Sequence, residues 1–222
     1  MRLVQKRRKF RRQYVWSPKI AYGVGLMASD GCLQSDGRHL DLTSKDIEQL
    51  ENFSRSIGRL LPISNKQDAF RLQFSDVAYY DFLLEIGLTP RKSHTIGILK
   101  IPNKLYSHFL RGLFDGDGTT YGYYDKRWRS SFMYYIGFAS ASKEFLEFIS
   151  ERNSSIIKTT KKKLSNSKNT FLLMYGKKDS NKIYKSIYKN ANGLYLSRKR
   201  DKIEDFIKED GNVTIKRNAR VS

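Results

Sequence analysis

The chain is short of several residue types, and each shortage closes off a class of function. Its 222 residues include a single cysteine, Cys32, so neither an internal disulfide nor a cysteine-based zinc site can form. The three histidines, His39, His94 and His108, show no metal-ligand spacing. There is no run of about 18 apolar residues, so no membrane-spanning helix is expected. The opening MRLVQKRRKFRRQYVW is basic but has no apolar stretch behind it, which does not fit a secretory signal. Together these point to an intracellular protein.

Acidic residues are also scarce: 22 Asp and Glu stand against 42 Lys and Arg, a net charge of +20. Self-repulsion of that size opposes compaction, and it is tolerated where a polyanion neutralises it. The excess lies in KRRKFRR (6–12), KRWR (126–129), KTTKKK (158–163) and SRKR (197–200). A single run reads as a solvated face, whereas four on one chain point to nucleic acid. No lipidation motif accompanies the charge, which argues against a membrane partner. What the chain has in quantity is material for a core, with 39% hydrophobic residues including 13 Phe and 14 Tyr.

One stretch resists a bland reading. FLRGLFDGDG (109–118) is an apolar, helix-like run that ends on Asp115 and Asp117 threaded between glycines. Carboxylates beside a buried face are costly unless something pairs with them. The pattern has a partner earlier in the chain. SPKIAYGVGLMASDGCL (17–33) and LYSHFLRGLFDGDGTTY (105–121) both end an apolar run with Gly-Leu-x-x-x-Asp-Gly, setting Asp30 against Asp117 at an offset of 87. LDLTSKDIEQLENF (40–53) then resembles GFASASKEFLEFI (137–149) at an offset of 98, FRLQFSD (70–76) resembles FLLMYGK (171–177) at 101, and GLTPRKS (87–93) resembles GLYLSRKR (193–200) at 106. The order is kept and the offsets only grow, as insertions into the second copy would produce.

Each copy reads as helix, two strands, helix, two strands, helix. Ser17-Pro18 suits an N-cap followed by proline at the first helical position. Gly31 and Gly118 suit the turn that ends a helix, and Ser44 and Ser142 read as N-caps of the second helix. HLDLT (39–43), FRLQF (70–74) and TFLLMY (170–175) alternate as strands do. The expected division is a basic N-terminal arm at 1–16, a first unit at 17–88, a linker at 89–104 and a second unit at 105–222.

Two such motifs make the chain resemble the LAGLIDADG homing endonucleases in their single-chain form. GVGLMASDG (23–31) matches the nine letters at Gly25, Leu26, Asp30 and Gly31, and LRGLFDGDG (110–118) matches at Leu110, Gly112, Leu113, Asp115, Asp117 and Gly118. The resemblance implies an α+β fold of two αββαββα units about a pseudo-twofold axis. Their two four-stranded antiparallel sheets would form a DNA-binding saddle. Gly25 and Gly112 would let the motif helices touch at the interface. Asp30 and Asp117 would meet on the axis and hold Mg²⁺, with Mn²⁺ or Ca²⁺ able to occupy the same site. The backbone carbonyls of Ser29 and Gly116 would complete the coordination. Asp115 would be a helix-end or interface group, matched in the first copy by Ala28.

A lysine at the start of each unit's last helix is implied as a second catalytic group. Lys92 matches it, and Lys199 matches with one residue inserted, so Arg198 or Arg200 could substitute. An ordinary phosphate-contacting lysine fits these positions equally well. Where relatives carry a glutamine near the end of the second strand, this chain has Ser44 and Ser142. Base and phosphate contacts would fall to Arg38, Arg71, Gln73, Arg127, Arg129, Lys158 and Lys161.

The implied function is site-specific cleavage of both strands of a long, pseudo-palindromic duplex by a monomer. Two alternatives share the fold: a DNA-binding regulator that does not cut, and a maturase acting on intron RNA. GYY (122–124) and YIG (135–137) imitate another nuclease signature, but the arginine that should follow closely does not come until Arg152.

Overall fold

The computed structural model describes residues 13–127 and 131–218. Helix α1 (Pro18–Ser29) starts as its sequence requires: the Ser17 hydroxyl accepts from the Ile20 N–H at 3.2 Å, and Pro18 occupies the first turn. Strands β1 (Gly31–Leu33) and β2 (His39–Ser44) follow, then helix α2 (Ile47–Ser56), strands β3 (Ile63–Lys66) and β4 (Ala69–Ser75), and helix α3 (Val77–Glu85). The second half repeats the order with α4 (Tyr106–Asp117), β5 (Gly118–Tyr124), β6 (Phe132–Ser140), α5 (Lys143–Arg152), β7 (Ser165–Ser167), β8 (Thr170–Gly176) and α6 (Lys177–Tyr188). A further helix, α7 (Ser197–Asn218), closes the chain.

Each half forms one antiparallel sheet, in the order β1-β2-β4-β3 and β5-β6-β8-β7. The fold is therefore α+β, with two pseudo-symmetric αββαββα-like units. Alternation along the strands sorts the faces. Leu40, Leu42, Leu72 and Phe74 of the first sheet, and Ile136, Phe138, Leu173 and Tyr175 of the second, lie in the core with the helices. Among the described residues, the opposite faces of the sheets contribute nothing to this hydrophobic core. Among the described residues, no helix is long and apolar enough to cross a membrane.

The middle of the molecule is the α1–α4 pair. A helix that is apolar all round belongs inside a protein, and α1 is buried continuously from Ile20 to Ala28. The two helices approach closely at their glycines. A Cβ on Gly25 would strike the Phe109 carbonyl and lie 2.6 Å from the Leu113 nitrogen, while one on Gly112 would strike the Tyr22 carbonyl and lie 3.1 Å from the Gly25 Cα. Backbone cannot yield as a side-chain tip can, so this contact demands glycine on both helices.

Two local expectations are corrected. Gly31 and Gly118 are not left-handed turn residues, since they are the first residues of β1 and β5 and are not among the positive-φ glycines. They are needed because the chain doubles back on its own helix, where a Cβ would stand 2.6 Å from the Met27 Cα or 2.7 Å from the Phe114 Cα. Ser142 caps α5 by accepting from the Phe145 N–H at 3.3 Å, but the N-cap of α2 is Asp46. Ser44 stands two residues upstream and accepts from the Asp46 N–H at 3.1 Å. On the outside of the first unit, Tyr14 donates to Asp76 at 2.8 Å, and both Tyr14 and Trp16 pack on Phe82 of α3.

Gly25→Ala and Gly112→Ala should each destabilise the protein by about 3 kcal/mol, the upper end of the usual overpacking range, as measured by denaturant unfolding. Gly211→Ala, with nothing within 4 Å of the added Cβ on exposed α7, should be neutral or stabilising by up to about 1 kcal/mol.

Candidate active site

Both motif helices end on the same side of their contact. Asp30 is the residue that terminates α1, its N–H bonded to the Leu26 carbonyl at 3.0 Å, and Asp117 is the last residue of α4. Gly116 lets the two ends meet, because a Cβ there would strike Ser29 and stand 2.9 Å from Asp30 Oδ2. The carboxylates are close enough to act on each other. Asp117 titrates at about 6, raised first by burial and next by the charge of Asp30, against the pull of Lys92 and Lys199. Burial also raises Asp30, opposed by a hydrogen bond from Gln49 and by the same two lysines.

The lysines reach the site from outside the motif helices. Lys92 and Lys199 are each 8% exposed. Lys92 donates to the Ser29 carbonyl at 2.7 Å, and Lys199 donates to the carbonyls of Phe114, Gly116 and Gly118, each at 2.7 Å. The last turn of a helix leaves carbonyls without partners, and a cation there also suits the helix dipole. Burial lowers both ammonium groups, Lys199 to about 8. Lys199 is the third residue of α7, whereas Lys92 lies in a turn beyond α3. The arginines that flank Lys199 are engaged elsewhere: Arg198 pairs with Asp46 at 2.7 Å, and Arg200 pairs with Glu204 at 2.7 Å and lies over the Tyr195 ring.

Gln49 was missed in the sequence. Its amide donates to Asp30 Oδ2 and its carbonyl oxygen accepts from Ser44 at 3.1 Å. The strand-end position holds a serine, and the glutamine that reaches the carboxylate comes from the first turn of α2 instead. The Asp-Ile-Glu-Gln start of that helix carried the signal, but only the hairpin geometry aims it at Asp30. Aligning the starts of α2 and α5 puts Phe145, a core residue, at the matching place in the second unit. The two carboxylates are therefore held differently.

Asp115 faces away from this group. Its Oδ2 accepts from the Tyr22 hydroxyl at 2.7 Å and from the Leu196 N–H at 2.9 Å, tying α4 to α1 and to the start of α7. Arg111, one turn earlier, is also buried, donating to the carbonyls of Leu194 and Ile187 at 2.6 Å and lying over the Tyr22 ring. Burial raises Asp115 to about 7. Its Oδ1 has no partner among the described residues.

Arg71 and Gln73 share the outward face of the first sheet, where Arg71 is paired with Asp41 of β2. Arg38 and Arg127 sit at the tips of the β1–β2 and β5–β6 hairpins, beside Asp36 and Asp125 respectively. Lys158 and Lys161 are set apart on the helical side. Lys158 turns back onto the Ser155 carbonyl, and Lys161 pairs with Glu151 of α5, both at about 2.5–2.7 Å. Arg129 lies outside the described residues.

Solved structures share this fold. A LAGLIDADG meganuclease, I-AabMI, bound to uncleaved DNA, aligns with a TM-score of 0.66 at 13% identity, covering 90% of this chain and 92% of that one. The fold is LAGLIDADG-like. The I-LtrWI LAGLIDADG homing endonuclease bound to target DNA aligns at 0.57 and 10% identity over 89% of this chain and 91% of its own. Full-length DUF199/WhiA from Thermatoga maritima aligns at 0.55 and 15% identity over 93% of this chain and 68% of its own. Residues 104–209 match the family model for the LAGLIDADG-like domain. A comparison with curated proteins gives no match.

Within this LAGLIDADG-like frame, the donors at the helix ends are two carboxylates and the Ser29 and Gly116 carbonyls, a hard-oxygen set that fits Mg²⁺. The two carboxylates are fewer than a full acidic cluster. Among the described residues, no three His, Cys, Asp or Glu side chains gather as a metal-binding group. Substrate phosphate and water would have to supply the remaining ligands, as Mg²⁺ commonly requires.

The raised value of Asp115 predicts a pH effect on stability. A carboxyl raised in the folded state binds its proton more tightly there than when unfolded. It therefore stabilises fully below about pH 4, and that contribution declines by up to about 1.4 kcal/mol per pH unit until the folded value is passed. Asp115→Asn removes this dependence, so its stability relative to the parent should improve as pH rises from 4 to 7 in paired denaturation curves.

Proposed function

We propose that this protein is a site-specific endonuclease that cuts both strands of duplex DNA. The observation that carries the reading is the meeting of Asp30 and Asp117 at the ends of two glycine-packed helices, between two open sheets, in a chain of net charge +20. The DNA-bound meganuclease and homing endonuclease of like fold support a duplex as the partner. The units would be 17–88 and 105–222, joined by 89–104 within one monomer.

Asp30 and Asp117 would hold the divalent cation, with the Ser29 and Gly116 carbonyls beside them. When bound, Mg²⁺ would activate water and offset charge on the scissile phosphate. The protein's own groups prepare that place. Gln49 fixes the orientation of the Asp30 carboxylate. Lys92 and Lys199 hold the helix-end carbonyls, and their ammonium groups add positive potential where the phosphorane would develop charge. A carbonyl has two lone pairs, so a lysine bond and a cation contact can share one oxygen. Arg71 and Gln73 present bidentate groups to a major groove, and Arg38 and Arg127 stand at hairpin tips where phosphates would pass.

The charge and the fold would serve intron RNA as well, and DUF199/WhiA, of like fold, is not described as an endonuclease. The paired carboxylates favour cleavage over binding alone.

A randomised duplex library cut in Mg²⁺ should yield one long site with the parent protein and none with Asp30→Asn/Asp117→Asn. The double variant should still bind that site within a few-fold, and loss of binding would assign the aspartates a structural role. Affinity should fall by about three to five decades between 50 and 200 mM salt for roughly 6–10 phosphate contacts.

A further inference from the structure

The outward faces of the two sheets differ in chemistry. The first presents the Arg71–Asp41 pair, Gln73 and Lys66. On the second, alternate positions along β5, β6 and β8 carry no charged side chain. Three tyrosines stand there instead, with Tyr121 and Tyr135 directly opposed in register and Tyr123 one step along. Their rings are nearly parallel, within 15° of one another, with centroids 5.0–6.5 Å apart. Tyr121 and Tyr123 remain 45% and 46% exposed. Leu172 and Met174 of β8 continue the face across Gly137, where Met174 lies so close that its Cε is 2.7 Å from the place a Cβ would take. Among the described residues, charge returns at the sheet's ends, with exposed Lys126 and Arg127 in the β5–β6 turn and Lys168 in the β7–β8 turn.

A solvent-facing, uncharged and largely aromatic sheet centre with cationic ends matches a surface that grips phosphates at its rim and meets base edges in the middle. The face is also continuous with the candidate active site, because β5 begins at Gly118, the residue after Asp117. The tyrosine ring faces are engaged with one another, so bases cannot insert between them. The ring edges with their hydroxyl tips, the exposed Thr119, a thioether and a leucine remain to touch a groove, and none of them offers a bidentate pair of polar groups. In the major groove the apolar feature is the thymine C5-methyl group, whereas guanine and adenine are read by bidentate polar side chains such as those on the first sheet.

Resting on the duplex reading above, we propose that the second unit reads its half-site by apolar contact with thymine methyl groups. The target is then chemically asymmetric. One half is read by Arg71 and Gln73, and the other is rich in A·T pairs and read by Tyr121, Tyr123, Tyr135 and Met174.

The test uses the full chain and the duplex that it selects, with deoxyuridine in place of thymidine in one half at a time. That change deletes only the methyl group. A photocrosslinker on Cys32, the sole cysteine and exposed on the first sheet, assigns the halves. Uracil in the second unit's half should weaken binding by about threefold to fivefold for each methyl contacted. In the first unit's half it should change binding less than twofold. Equal or absent effects in a duplex that is bound and cut would overturn this inference and leave the nuclease reading standing. Tighter binding to single-stranded RNA than to any duplex, or a second copy of the chain found seated on the face by its concentration-dependent mass, would also overturn it. Failure to select any duplex would overturn the nuclease reading itself, and this inference with it.

Discussion

The backbone contact between α1 and α4 is the constraint on which the rest of the molecule depends. Each helix is buried among core residues from its own unit and from its partner, so the interface between units is also the centre of the protein. Gly25 and Gly112 allow that contact, and Gly116 allows the helix ends to converge. The positions of Asp30 and Asp117 follow from it. Their mutual repulsion and burial are the electrostatic consequence of the same packing.

Other features work to keep that convergence tolerable. Buried lysines donate to the Ser29 and Gly116 carbonyls at the helix ends, and their charge lies beside the carboxylates. Asp115 and Tyr22 join the helices further in. Ser197 donates to Glu48, and Arg198 pairs with Asp46, so the start of α7 is fastened to the start of α2 in the other unit. Fold stability and the arrangement of charge at the site are thus products of one set of contacts. The sheets are left free to diverge on their outward faces, and they do.

Much of this was legible in the residues. Duplication, the strand segments and the glycine pairing appear because each depends on local pattern or on repetition at growing offsets. Gln49 was not legible, because its role depends on where the turn from β2 delivers the start of α2. The choice of Lys199 over its arginine neighbours depends on which face of α7 turns inward. The stacked tyrosines were hidden for a similar reason. Tyr121, Tyr123 and Tyr135 read as ordinary strand residues until the β5–β6 register set them side by side. Gly31 and Gly118 show the converse error, where the right residue was noticed for a turn but is required by close packing.

The central claim is that helix packing creates a two-carboxylate cation site at Asp30 and Asp117. Titration of Mn²⁺ into the protein bound to its selected duplex, followed by electron paramagnetic resonance, tests it most directly. The account predicts binding by the parent protein that disappears in Asp30→Asn/Asp117→Asn while the duplex stays bound. Equal Mn²⁺ binding by both proteins would contradict it.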